Sequence, residues 1–194
     1  MVHETTTAVN ALFGAAAELQ VLCLREGWRF CFIGGLAVLR WGEPRETVDV
    51  DVTLLTGFSG EERYIATLMS RFAPRIDDAA AFALRTRVLL LRASSGVGLD
   101  IALGGLPFEE SAVERSSLFT YPPDVALRTC SAEDLLVLKA FANRPKDWID
   151  IDGILIRHGA VIDWDYVGKQ LTPLAELKEE PEIVQRLEAR RRQL

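Results

Sequence analysis

The chain has 194 residues, with 22 Lys and Arg against 28 Asp and Glu, a formal net charge of −6 and 49% apolar residues. That length suits one domain, or one domain with a small helical addition, and the apolar share is that of a globular protein with a real core. No run approaches the ~18–20 apolar residues that span a bilayer, the first residues lack the basic-then-apolar order of a secretory signal, and an acidic chain is not built for broad grip on a phosphate backbone.

Residues 5–26 read as an amphipathic helix, with Ala8, Leu12, Ala15, Leu19 and Leu22 at helical spacing and Gly27 as its stop. The aromatic-rich stretch 28–33 is short enough for a strand. Gly34-Gly35 follows, then a short helix over 36–41 and a loop from Gly42 to Arg45. Thr47 to Leu55 reads as a strand, with Val48, Val50 and Val52 on one face and Asp49 and Asp51 on the other. A helix is expected over 61–73, strands around Phe82–Arg85 and Val88–Leu91, and a third over 98–103 that carries the single carboxylate of Asp100. Residues 107–118 read as a mixed connection, and Tyr121-Pro122-Pro123 as a break. Ser131 to Asp134 resembles a capping box, with Asp where Glu or Gln is usual. The helix it opens runs to about Ala142, is interrupted at Asn143-Arg144-Pro145, and is followed by a second to about Arg157. Gly159, Asp163-Trp164-Asp165 and Thr172-Pro173 punctuate the rest, and 174–193 reads as a final charged helix divided around Pro181.

These elements predict an α/β fold of the α+β type, a small mixed sheet flanked by helices. Residues 1–120 would form the core domain and 121–194 a C-terminal helical lobe closing its cleft, as one compact unit. Cys23, Cys31 and Cys130 include no CxxC pair. That argues against a disulfide framework or a zinc site and makes a reducing cytoplasm the simplest expectation. His3 and His158 are far apart, so a histidine-based hydrolase is disfavoured, and no Gly-x-Ser-x-Gly elbow or Walker-type Lys-Ser/Thr is present. Arg71, Arg75, Arg85, Arg87 and Arg92 cluster in the middle. A local basic groove and a set of solvated side chains are equally good readings of them.

Asp49 and Asp51 lie on one face of their strand, where two ionised carboxylates repel unless a cation or a proton compensates. Carboxylate oxygens suit a hard divalent ion, and Mg²⁺ commonly takes one or two carboxylates plus substrate phosphates. If the strand of Asp100 is a neighbour, three carboxylates converge in the manner of a two-metal site. Alone, the pair reads better as the solvent face of an edge strand. Gly34-Gly35, small enough for backbone amides to approach a phosphate, shifts the balance toward a phosphoryl-transfer device.

Gly34-Gly35 followed by Asp49-x-Asp51 resembles the signature of the DNA polymerase beta-like nucleotidyltransferase superfamily. Within it, Ile33-Gly-Gly-Leu-Ala-Val-Leu-Arg-Trp-Gly with Arg45-x-Thr47-x-Asp49-x-Asp51, and later Glu133 to Ala140 and Arg144-Pro-Lys146-Asp147-x-x-Asp150, are similar to AbiEii/AbiGii-type toxins. The resemblance implies a metal-dependent transfer of a nucleoside monophosphate from an NTP to an acceptor hydroxyl on tRNA, protein or a small molecule. It also implies a toxin–antitoxin role with an antitoxin protein as partner. Gly34 and Gly35 would hold the triphosphate. Asp49, Asp51 and Asp100 would bind two Mg²⁺ ions, Asp100 also assisting deprotonation of the acceptor. Arg45, Thr47, Lys139, Lys146 and Asp147 would contact the nucleotide. Arg45 could equally be a surface residue, and Asp147 and Asp150 have a purely structural reading in the first turns of their helix. A module that kept the fold and lost the chemistry is the alternative.

Overall fold

Asp51 on strand β2 (Asp49–Leu55) pairs with Asp100 on the parallel strand β5 (Gly98–Gly104), and Asp49 with Gly98. Around this pair the computed structural model builds a seven-stranded mixed sheet. The other strands are β1 (Phe30–Phe32), β3 (Ala73–Pro74), β4 (Val88–Arg92), β6 (Ser117–Tyr121) and β7 (Val125–Thr129), in the order β3-β4-β5-β2-β1-β7-β6. The structure describes residues 2–193, with side chains from residue 11 onward, so the side chains of His3 and Ala8 lie outside it. Two compact units are present. One comprises Met1–Leu36 with Glu46–Thr129; the other comprises Ala37–Arg45 with Cys130–Leu194.

The first unit holds the sheet. Val50, Val52, Leu54, Leu99, Ile101 and Leu103 are buried, as alternation on β2 and β5 requires. Helix α1 (Val2–Arg25) contributes Leu12, Leu19 and Leu22 to the same core and contacts β7, where the Gln20 side chain donates to the Ala126 carbonyl and accepts from the Arg128 amide. Val48, expected on one strand face with Val50 and Val52, precedes the strand and is 66% exposed, whereas those two are buried. Helix α3 (Glu61–Arg71) follows β2. Phe82–Arg85, expected as a strand, lies inside helix α4 (Ala79–Thr86), an alanine-rich segment bounded by Asp78 and Arg87 in left-handed conformation. Alanine favours helix, and burial of Ala79 and Ala83 holds it. The connection over 107–118 is helix α5 (Pro107–Glu114) and the start of β6; Tyr121 ends β6, and Pro122-Pro123 lies in the turn of the β6–β7 hairpin.

Helix α2 (Gly34–Trp41) starts in the first unit at the glycine pair and continues into the second. There follow α6 (Ala132–Ala142), α7 (Pro145–His158), a short 3-10 turn at Gly159–Val161, α8 (Trp164–Leu177) and α9 (Glu182–Arg191). Ser131 caps α6 by accepting from the Asp134 amide at 3.1 Å, as its sequence predicts. The cap of α8 is Asp163, which accepts from the Tyr166 amide. Pro173, expected to punctuate, sits inside α8. Leu135, Leu136, Trp148, Ile151, Ile154 and Leu171 form this unit's core. Among the described residues, no helix is long and apolar enough to cross a membrane.

Candidate active site

The β2–β5 register places the three carboxylates on adjacent strands, with Asp51 directly opposite Asp100 and Asp49 one pleat repeat away on the same face. Behind them, Gly34 adopts φ +54°, a region closed to most side chains, and a Cβ there would fall 2.0 Å from Asp51 Oδ2. The absent side chain lets the Gly35 amide donate to Asp51 Oδ2 at 3.3 Å. Thr47 lies against Gly35, and its hydroxyl donates to the Asp49 carbonyl at 3.4 Å. The glycine turn, Thr47, both strand acids and Asp100 are therefore brought together within the first unit.

The sequence reading missed the group that stands among these acids. Arg75, just after β3, donates from Nη1 to Asp49 Oδ1 at 3.3 Å and brings Nη2 to 2.8 Å from Asp100 Oδ1. The second contact is electrostatic, because the N–H is not aimed at that oxygen. Asp100 Oδ1 is buried without a directed hydrogen bond. Room for the guanidinium comes from Gly98, where a Cβ would lie 2.2 Å from Arg75 Nη1 and 2.1 Å from Asp49 Oδ1. A glycine two residues before Asp100, facing Asp49, was the one sequence signal for this arrangement. Burial raises the Asp100 pKa above the usual carboxylate range; Arg75 works against that, and Asp51 and Asp49 add to it.

Three carboxylates on one sheet face, one of them with a buried oxygen lacking a directed partner, fit a hard divalent ion by donor chemistry. Among the described residues, no group of three or more His, Cys, Asp and Glu is arranged to hold an ion as it stands, and Arg75 bridges two of the three acids.

The remaining predicted residues lie in the second unit, apart from the carboxylates in the division of the chain. Lys139 is buried and contacts Asp147 Oδ1 at 3.1 Å and Asp150 Oδ2 at 2.7 Å. Arg45 binds Asp150 with two nitrogens at 2.6 and 2.9 Å, and Arg144 binds Asp147 in the same manner at 2.6 and 3.1 Å. Asp147 also accepts from the Arg144 amide, which caps α7. Burial alone would raise the pKa of both acids. The hydrogen bonds from Arg144 and Lys139 to Asp147, and from Arg45 and Lys139 to Asp150, prevail and lower both. Lys146 is exposed in the first turn of α7.

Over residues 24–167 the chain matches the family described as Nucleotidyl transferase AbiEii toxin, Type IV TA system. The chain belongs to the AbiEii nucleotidyltransferase family. It is thus a nucleotidyltransferase. The match takes in the glycine turn, all three carboxylates and the Lys139–Asp150 network. No curated protein matches this AbiEii-family chain. Among solved structures, an antigenic nucleotidyltransferase-like protein from Paracoccidioides brasiliensis is similar at 16% identity, covering 94% of both chains with a TM-score of 0.55. The antibiotic-resistance factor ANT(2'')-Ia is similar at 12% identity over 94% of this chain and 97% of that chain, with a TM-score of 0.50. The lincosamide antibiotic adenylyltransferase LnuA, lincomycin-bound, is 16% identical over 71% of this chain and 92% of that one, with a TM-score of 0.48. At these identities the first two establish the nucleotidyltransferase-like fold.

Proposed function

We propose that this AbiEii-family chain transfers a nucleoside monophosphate from an NTP to an acceptor hydroxyl, with Asp49, Asp51 and Asp100 as ligands of divalent cations, Mg²⁺ being the natural ion. The observation that carries the reading is the parallel β2–β5 register, which sets Asp51 opposite Asp100 directly behind the Gly34–Gly35 turn. The divalent ions, when bound, neutralise charge on the triphosphate and on the developing transition state. The chain's own residues do the rest. The small glycines leave room for the phosphates to approach the N-terminus of α2, where the Gly35 amide already holds Asp51. Asp100, opposite Asp51 across the β2–β5 pairing, takes the proton of the acceptor hydroxyl. The acceptor oxygen bonds to the α-phosphorus, the bond from that phosphorus to the bridging oxygen breaks, and pyrophosphate leaves.

Thr47 steadies the Asp49 backbone. Lys146 serves as a nucleotide contact from the exposed first turn of α7. Lys139, Asp147 and Arg45 spend their charges on one another and on Asp150, so their part is to fix that turn. The family supports a role as the toxin of a toxin–antitoxin pair, with an antitoxin as partner. Acceptors on tRNA, on protein and on a small molecule all remain within this chemistry. The test is incubation with NTPs labelled in the α-phosphate, Mg²⁺ and a cell extract. Label should move to an acceptor with wild type and not with Asp49→Ala/Asp51→Ala. Equal behaviour of the two proteins ends the proposal.

A further inference from the structure

Arg75 comes from the β3–α4 connection, outside the glycine turn and the two strands that carry the carboxylates. Its backbone is tied down, the amide donating to the Leu90 carbonyl at 3.0 Å. Its side chain is 22% exposed and spans Asp49 Oδ1 and Asp100 Oδ1. The missing side chain at Gly98 makes the guanidinium's seat; any larger residue would meet both Arg75 and Asp49. The guanidinium thus lies in a prepared position, in the gap between the first and third carboxylates. Asp51 has its Oδ2 turned to the Gly35 amide.

Three carboxylates packed this closely repel one another, and a cation is what lets them coexist. A guanidinium, with one positive charge, and a divalent ion, with two, answer the same repulsion, and both cannot occupy the space between Asp49 and Asp100. The guanidinium is the weaker match to Asp100: its N–H misses Oδ1, and that oxygen keeps its lone pairs undirected. A small ion of higher charge satisfies both oxygens at once.

We propose that Arg75 is a built-in counter-cation that occupies the gap between Asp49 and Asp100 and yields it to a divalent ion, so that metal entry at Asp100 is a competition with the protein's own arginine. The inference rests on the reading of the carboxylates as metal ligands. In the resting protein the arginine holds the acids in place; the incoming ion displaces it, and the freed guanidinium stays beside the site through its fixed backbone. Metal affinity is therefore set below what three bare carboxylates would give, and the ion is retained only when something else, such as triphosphate oxygens, adds to its ligands.

The test uses Mn²⁺ alone as probe, with binding read from loss of the free-ion electron paramagnetic resonance signal, so no turnover is needed. Arg75→Gln, neutral and of similar reach, should bind Mn²⁺ about tenfold more tightly than wild type, a difference of about 1.4 kcal/mol. Without metal its Tm should fall, and Mn²⁺ should restore it. Guanidinium ion, added far below denaturing concentrations, should weaken Mn²⁺ binding to Arg75→Gln and leave wild type unchanged. If the Gln variant does not fold, Arg75→Lys keeps the charge, reaches only one acid at a time and should bind Mn²⁺ more tightly than wild type. Mn²⁺ affinity unchanged or weaker in the variant that folds overturns the competition. Asp51→Asn separates this from the underlying reading. If wild type binds Mn²⁺ and Asp51→Asn does not, the metal site stands whatever Arg75 does. If neither wild type nor the Arg75 variants bind Mn²⁺, both ideas fall.

Discussion

Gly34 is where backbone conformation and side-chain placement become one constraint. Its φ of +54° is strained for any residue with a Cβ, and that Cβ would overlap the Asp51 carboxylate. Gly34→Ala should therefore cost about 1–3 kcal/mol of stability for the backbone alone. Its effect on catalysis should be larger, because moving Asp51 by an ångström is worth about 10²-fold. Urea denaturation alongside label-transfer rates measures both, and a variant of full activity would show that Asp51 is not held from Gly34. This much of the site was legible in the sequence, because the glycine pair and the strand acids are close in the chain and strand alternation fixes the facing of the acids. Asp100 was legible only as a conditional neighbour, since its strand pairing depends on the fold. Arg75 was not legible: it stood among the middle arginines with nothing in its local sequence to say that Asp49 and Asp100 were its partners.

Helices α6 and α7 are joined by charge as well as by apolar packing. Lys139 on α6 stands between Asp147 and Asp150 on α7, and all three are nearly excluded from solvent. Lys139, which the family resemblance offered as a nucleotide contact, meets two acids here. Removing one partner of such a buried set leaves an uncompensated charge, so Asp150→Ala should destabilise the protein by about 3–5 kcal/mol. The pH dependence follows from the lowered pKa values of Asp147 and Asp150. Both sit below the unfolded value of about 3.9, so their stabilisation is complete above about pH 4 and is lost as pH falls through the folded values. Denaturation of wild type should show that acid loss, and Asp150→Ala should start lower and fall less steeply. Equal slopes would mean that the network carries no linked proton. Elements whose composition speaks for them, such as β2 and α6, were legible. The β6–β7 hairpin was not, because β6 is an edge strand exposed at Ser117–Thr120 and so lacks the buried alternation that announces a strand. Helix α4 was misread because Phe82 and Leu84 suggested a strand, while the flanking left-handed residues that close it as a helix leave no local pattern.

For the molecule as a whole, the net charge of −6 and the pairing of its central arginines act in the same direction. Arg71 is paired with Glu18, Arg75 with Asp49 and Asp100, and Arg87 with Glu61. The basic groove that the middle arginines could have formed is thereby largely neutralised. Binding to RNA of random sequence at physiological salt should be weaker than about 10⁻⁴ M, the loose end of non-specific nucleic-acid binding. Fluorescence anisotropy checks this, and tight salt-sensitive binding would favour a nucleic-acid acceptor held by charge alone. The fold was legible in class, a mixed sheet with helices, since the family's residues and strand patterns agree. The two ways of carrying a phosphate label decide the chemistry itself. Given purified protein, Mg²⁺ and its acceptor-containing extract, an NTP labelled in the α-phosphate should deliver label to the acceptor, the same NTP labelled in the γ-phosphate should deliver none, and Asp51→Asn should abolish the transfer. Transfer from the γ-position, or transfer that survives Asp51→Asn, would contradict the assignment of the β2–β5 carboxylates as the centre of nucleotidyl transfer.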